Sequence, residues 1–198
     1  MSTKESKASK ENAMVEDARE KRAGRKILFY TKDVLETIVP AALAAFLLFY
    51  VVFRVVVVEG NSMNPTLQNG DIMVVHCLLY TPKVGDIVVC TSDGFEGGNL
   101  VKRIIGVPGD TLEFDFENGI VRRNGVALDE DYIAEKTKTS LGCPQTVRVG
   151  VDTYFVMGDN RSVSIDSRSS IVGCIAGDQI VGKVVFRVWP LSAFGPLN

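Results

Sequence analysis

Two features of the sequence predict a mainly β chain behind a single membrane-spanning helix. One is a long apolar segment at 34–53, VLETIVPAALAAFLLFYVVF, whose one charge, Glu36, lies near the inner end. The other is a succession of short Val/Ile-rich runs after it, separated by turns that contain glycine. The expected body is an antiparallel β-sheet, closed or sandwiched. At 198 residues the chain has room for one such domain and a small second lobe.

The elements follow in order. Residues 1–20 are rich in Lys, Ser and Glu and read as disordered. The whole segment 1–33 forms a basic tail, with nine Lys/Arg against six Asp/Glu. Helix is expected from about 26 to 53. As a helix, the apolar segment would be about 30 Å long, the thickness of a hydrocarbon core. Thr37 to Phe53 carries no charge, and Arg54 stands just past the outer end, so the membrane helix is set at 34–54. A cleaved secretory signal fits poorly: the leading segment is long, and RVVVVEG offers no A-x-A-like site. Lys21, Arg22, Arg25, Lys26 and Lys32 before the span put the N-terminus in the cytoplasm and residues 55–198 outside, on a cell membrane crossed once.

Beyond the span the β runs are VVVV (55–58), DIMVVHCL (71–78), GDIVVCT (85–91), LVKRIIGV (100–107), GIVRRNGVAL (119–128), TYFVMGD (153–159) and IVGKVVFRVWP (180–190). Turn signals separate them, among them NG at 69–70, 118–119 and 124–125 and PGD at 108–110. Residues 113–152 read as a small inserted lobe. Residues 59–198 carry twelve Lys/Arg against seventeen Asp/Glu, and the whole chain has a net charge of −2, which points away from nucleic acid. Cys77 and Cys90 sit in apolar runs and read as buried. Cys143 and Cys174 lie in turn-like settings that leave a pairing between them open. No C-x-x-C spacing occurs, so no metal site is expected, and no cofactor is implied.

Ser62, in EGNSMNPTL, is either a turn residue or a nucleophile. A Ser-His-Asp triad would need His76, the chain's one histidine, which sits inside a strand run. A neutral lysine is the other available base, because burial in apolar surroundings disfavours the ammonium form. In LVKRII, alternation puts Lys102 on one face with Leu100 and Ile104, and Val101, Arg103 and Ile105 on the other. A third cluster, GDNRSVSIDSR (158–168), packs two Asp, two Arg, three Ser and one Asn beside a strand end.

Taken in this order after one N-terminal span, EGNSMNPTL, VKRIIGVPGD and MGDNRSVSIDSR resemble the boxes of bacterial type I signal peptidase, in its Gram-positive form. The resemblance implies a Ser-Lys dyad on a signal peptidase/SOS-repressor peptidase-like fold. By it, Ser62 matches the nucleophile and Lys102 the general base, with Arg103 completing the K-R pair. Met63, Pro65 and Thr66 complete the nucleophile box. Gly158, Asp159, Asn160 and Arg161 match G-D-N-R. Ser164 matches a serine that orients the lysine amine, and Asp166 with Arg168 a structural ion pair. Gly60 stands where some relatives carry a serine donor to the oxyanion, leaving that side-chain donor missing. Val57, Val58, Glu59 and Gly60 would form an edge along which an extended substrate lies. The implied substrates are signal peptides of translocated preproteins, cut after small residues at A-x-A-like sites. Membrane lipid and the secretion translocon are the further partners expected. Met63 and Leu67 are expected to dip into the membrane interface.

A self-cleaving repressor of the SOS type would need a DNA-binding domain that 1–33 is too short to hold. A sortase would need a Cys partner for His76. A specialised pilin- or conjugation-type Ser-Lys peptidase shares the same motifs. A non-catalytic membrane-anchored β-domain is opposed by the presence of both Ser62 and Lys102.

Overall fold

The computed structural model describes residues 34–95 and 98–197; the predicted tail 1–33 lies outside them. Two units are distinguished, one ending at Phe49 and one starting at Tyr50. The first contains most of α1 (Val34–Val52), which is long and apolar enough to cross a membrane. Val34 to Val51 are all exposed in the protein alone, as expected of a helix whose apolar surface lipid would cover.

The body is mainly β, as its alternating runs predict, with two single-turn 3-10 helices at Gly177–Gln179 and Leu191–Ala193. β1 (Phe53–Val57), β2 (Ile72–His76), β3 (Ile87–Cys90) and β4 (Leu100–Gly106) come first. β5 (Thr111–Asp115), β6 (Ile120–Arg123), β7 (Val126–Ala127) and β8 (Thr146–Arg148) follow, then β9 (Thr153–Met157), β10 (Ile175–Ala176), β11 (Ile180–Trp189) and β12 (Gly195–Pro196). The larger sheet runs β1-β2-β11-β3-β4-β9-β10, with β12 also on β11; the smaller runs β7-β6-β5-β8. Every pairing is antiparallel.

Several boundaries differ from expectation. Phe53 and Arg54 belong to β1 rather than to the helix, because they pair with His76 and Val75 of β2. β5 went unread because TLEFD is poor in Val and Ile. Its alternation is nevertheless clean: Leu112 and Phe114 are buried, while Glu113 and Asp115 are more exposed. The smaller sheet begins at Thr111, two residues before the expected lobe 113–152, and includes β8, which lies within that lobe. The Asn124-Gly125 pair makes the predicted β6–β7 turn, with φ of 53° and 81° at the two residues.

β4 is the strand on which the core turns. Leu100 and Ile104 enter one apolar cluster with Val88, Val156 and Ile175. Ile105 enters another with Leu112, Phe155 and Met157. Val101 packs against a third, built on Met63, Leu67, Met73 and Val75. Lys102 therefore sits on a strand that is covered from several sides.

Candidate active site

Ser62 lies in the turn that joins β1 to β2. Asn64 N–H donates to the Asn61 carbonyl at 3.2 Å and Leu67 N–H to the Met63 carbonyl at 2.9 Å. Gly60 enters the turn at φ 86°, a conformation that glycine adopts without strain. Its N–H donates to Asn69 Oδ1 at 2.8 Å. Met63 and Leu67 are 1% and 0% exposed. Both plug the cluster built on Met73 and Val75, four residues apart on the inner side of the turn, so they anchor the Ser62 turn in the core and do not meet lipid. Ser62 N–H makes no hydrogen bond among the described residues.

Lys102 Nζ lies 2.8 Å from Ser62 Oγ and donates to the Val101 carbonyl at 3.0 Å. The residue is 3% exposed. Burial holds its pKa below the ordinary lysine value, against the opposing pull of Asp166, Cys90 and Asp159. Both carboxylates already have guanidinium partners, which tempers that pull. Arg103 Nε and Nη2 grip Asp159 at 2.9 and 2.7 Å. Arg168 Nε and Nη2 grip Asp166 at 2.9 and 2.9 Å. All four side chains are at most 5% exposed, and bidentate pairing of this kind fixes geometry as well as charge.

The loop after β9 is laid directly against the Ser62 turn. Asn160 N–H donates to the Ser62 carbonyl at 3.0 Å, and its amide Nδ2 donates to the Asn61 carbonyl at 3.2 Å. Thr66 Oγ1 donates to Asp159 Oδ2 at 2.6 Å. Asp166 Oδ2 accepts from Gly158 N–H at 3.0 Å. A Cβ on Gly158 would stand 2.3 Å from Ser164 Oγ and 2.5 Å from the Ser62 carbonyl oxygen, so only glycine permits this approach. Ser164 Oγ is buried with no hydrogen-bond partner. The expected bond from Ser164 to the lysine amine is not made; the amine is engaged with Ser62 and Val101 instead.

A groove of 870 Å³ opens over the pair, lined by residues 56–64 on one side and 99–102 on the other, with Asn160, Val163 and Ile165 along its wall. Val57, Val58, Glu59 and Gly60 all face it. β1 is an edge strand. Val58 pairs toward β2, donating to the Asp71 carbonyl and accepting from Gly70, so alternation turns the backbone groups of Val57 and Glu59 to the open side. Across the groove, the register of β4 with β9 begins only at Arg103. Ile104 N–H points to Asp86 on the β3 side, so Val101 presents its backbone groups the other way. The groove thus has two strand edges, of which the family resemblance implied only the first.

The remaining candidates stay outside the site. His76 ends β2, with its ring centroid 5.6 Å from that of Phe53. All four cysteines are free thiols, Cys143 and Cys174 among them, and Cys77 is only half-buried. Burial pushes the Cys90 thiol up to about 12 and the Cys143 thiol to about 11, which leaves both protonated at neutral pH. No cluster of His, Cys, Asp or Glu suited to a metal occurs among the described residues. Sequence reasoning missed Arg187, which pairs with Asp71 at 3.2 Å and donates to the Thr66 carbonyl. A charge among the apolar residues of a strand was its signal, as it was for Lys102. It also missed Glu130, Tyr132 and Thr137, which have no local signature.

Residues 31–189 match the family model described as signal peptidase, peptidase S26. The chain is 36% identical over 185 residues to signal peptidase IB of Staphylococcus aureus (strain COL), covering 82% of this chain and 93% of that one. It is 36% identical over 179 residues to a probable signal peptidase I-1 of Synechocystis sp. (strain ATCC 27184 / PCC 6803 / Kazusa), covering 85% and 88%. A solved signal peptidase I from Enterococcus faecalis V583 aligns at 32% identity with a TM-score of 0.45, covering 53% of this chain and 97% of that one. With a family match over most of its length and relatives at this identity, the chain belongs to the signal peptidase family, peptidase S26.

Proposed function

We propose that Ser62 is the nucleophile and Lys102 the general base with which this membrane-anchored serine endopeptidase removes N-terminal signal peptides. The observation that carries the reading is a buried lysine amine 2.8 Å from a groove-facing serine hydroxyl. Ser62 Oγ attacks the scissile carbonyl carbon while neutral Lys102 takes the hydroxyl proton. The oxyanion forms beside the free Ser62 N–H. Collapse expels the new amino terminus of the mature protein, which takes the proton from Lys102. Lys102 then deprotonates a water that hydrolyses the acyl ester. Asp159, Asn160, Gly158, Asp166, Arg103 and Arg168 hold the pair in place. The preprotein adds as an extended strand between Val57–Gly60 and Val101.

The body is oriented outside the cytoplasm, with the Lys/Arg-rich tail inside. Its lipid contact is the outer face of β1, β2 and β11. Cross-strand partners share a face, and here they are Val57, Ile72 and Trp189 in one row and Val55, Val74 and Phe186 in the next. Val55, Val57 and Trp189 are 66, 53 and 51% exposed. The Phe194 ring meets Phe186 edge-on at 4.7 Å and is itself exposed.

Cleavage of a signal peptide by the full-length protein in lipid vesicles tests the dyad. Ser62→Ala and Lys102→Arg should both be inactive, because guanidinium does not deprotonate in proteins. Wild-type activity should rise with pH as Lys102 loses its proton, with an acid limb below the ordinary lysine value near 10.4. Retained activity in Lys102→Arg refutes the assignment of the base.

A further inference from the structure

The stretch 129–139 between β7 and β8 has no regular structure, yet it touches the active-site framework at five places. Glu130 Oε1 accepts from Arg161 Nη2 at 2.6 Å, with the two side chains 8% and 1% exposed. Thr137 Oγ1, on a buried residue, accepts from Arg161 Nη1. Ala134 N–H donates to the Asp159 carbonyl at 3.2 Å. The Thr139 carbonyl accepts from Arg168 Nη1 at 2.9 Å. The Arg103 guanidinium stands 4.1 Å from the centroid of the Tyr132 ring. From Arg161 the connection continues inward: its Nε donates to the Gly158 carbonyl at 3.0 Å, and Gly158 lies wedged against Ser62 and Ser164.

We propose that residues 129–139 are a positioning strap for the peptidase reaction, with Glu130 as its charged anchor, setting where Gly158 stands and so how closely Ser62 and Lys102 meet away from water. The inference rests on the Ser62–Lys102 reading. Glu130 is the decisive residue because it compensates a buried guanidinium. Without it, Arg161 keeps only neutral acceptors and is drawn toward solvent, and its grip on the Gly158 carbonyl goes with it. Tyr132, Thr137 and the two backbone contacts supply alignment without charge.

The pH profile separates positioning from mere stability. The groups around the Lys102 amine are the Asp159 and Asp166 carboxylates, their partners Arg103 and Arg168, and the Cys90 thiol. None of them changes in a Glu130 variant. Water admitted to the amine raises its pKa and moves the acid limb of activity to higher pH. Loss of the Glu130 charge acting through space would move the limb the other way, so the direction alone distinguishes the two.

The experiment is kcat and KM against pH for the full chain in lipid vesicles, acting on a synthetic A-x-A signal peptide. Glu130→Ala should lose about tenfold or more in kcat with little change in KM. Its acid limb should move up by about half a unit or more. Glu130→Gln, which still accepts from Arg161 but leaves its charge uncompensated, should recover only a small part of the loss, and Thr137→Val should show a smaller change in the same direction. Glu135→Ala, at an exposed position of the same stretch, should behave as wild type. An unmoved or lowered limb in Glu130→Ala overturns the inference, whatever happens to the melting midpoint. If Glu130→Ala does not fold, Thr137→Val is judged by the same criterion. Cleavage surviving in Ser62→Ala fails differently: it removes the dyad reading, and this inference with it, whereas a failed strap leaves Ser62→Ala inactive.

Discussion

At the residue scale, burial of Lys102 has a cost that function retains. A lysine whose folded pKa lies below its unfolded value makes the protein less stable as pH falls from about 10.4 toward the folded value, because the unfolded chain gains the proton first. Below the folded pKa the penalty is constant. Lys102→Met keeps the volume and removes the charge. It should be inactive, yet melt at or above the wild-type temperature at neutral pH, and the two should converge as pH rises past 10. A calorimetric series across pH checks this, and a uniformly lower midpoint for Lys102→Met contradicts it. Gly158→Ala is the complementary case. Its Cβ would meet Ser164 Oγ and the Ser62 carbonyl at 2.3 and 2.5 Å, and the backbone atom cannot rotate away. The nucleophile turn must shift, and a shift on the order of 1 Å costs about a hundredfold in kcat. Wild-type turnover in Gly158→Ala would show that the wedge is not needed.

At the element scale, the loop after β9 is where stability and chemistry share side chains. Arg168 directs its guanidinium to Asp166 and to the carbonyls of Thr139 and Arg161, and its pairing with Asp166 is buried. Arg168→Ala leaves Asp166 as a buried carboxylate with only backbone N–H donors, at a cost of about 3–5 kcal/mol. The expected outcome is a large fall in the unfolding midpoint of the body, with the activity loss following from it. An unchanged midpoint with lost activity would instead assign Arg168 a direct part in the chemistry. The strand elements were readable because β2, β3, β4, β9 and β11 alternate or run apolar over four or more residues. β10 and β12, two residues each, carry no period to read.

At the scale of the whole molecule, the charge distribution supports the proposed orientation across the membrane. Lys21, Arg22, Arg25, Lys26 and Lys32 precede a span that contains no charge between Thr37 and Val52, and short basic flanks stay cytoplasmic. Protease added to intact spheroplasts should digest the body from Phe53 onward and spare an epitope placed at the N-terminus. Digestion of the epitope with protection of the body reverses the orientation.

The sequence by itself determined the apolar span, the β character of the body and the family to which the chain belongs. These rest on local composition, on a two-residue period and on three short motifs whose spacing places Ser62, Lys102 and the 158–168 loop on record. Lys102 stood out because a charge on an apolar strand face needs a reason. Tertiary structure alone decided that Met63 and Leu67 turn inward, that Ser164 leaves the amine to Ser62 and Val101, and that the groove has a second edge at Val101. It alone brought Glu130 and Thr137 to Arg161, 31 and 24 positions away in the chain. Such contacts join residues with no shared period or motif, and the direction a turn residue faces depends on which core it meets, so neither is written in any local stretch of sequence.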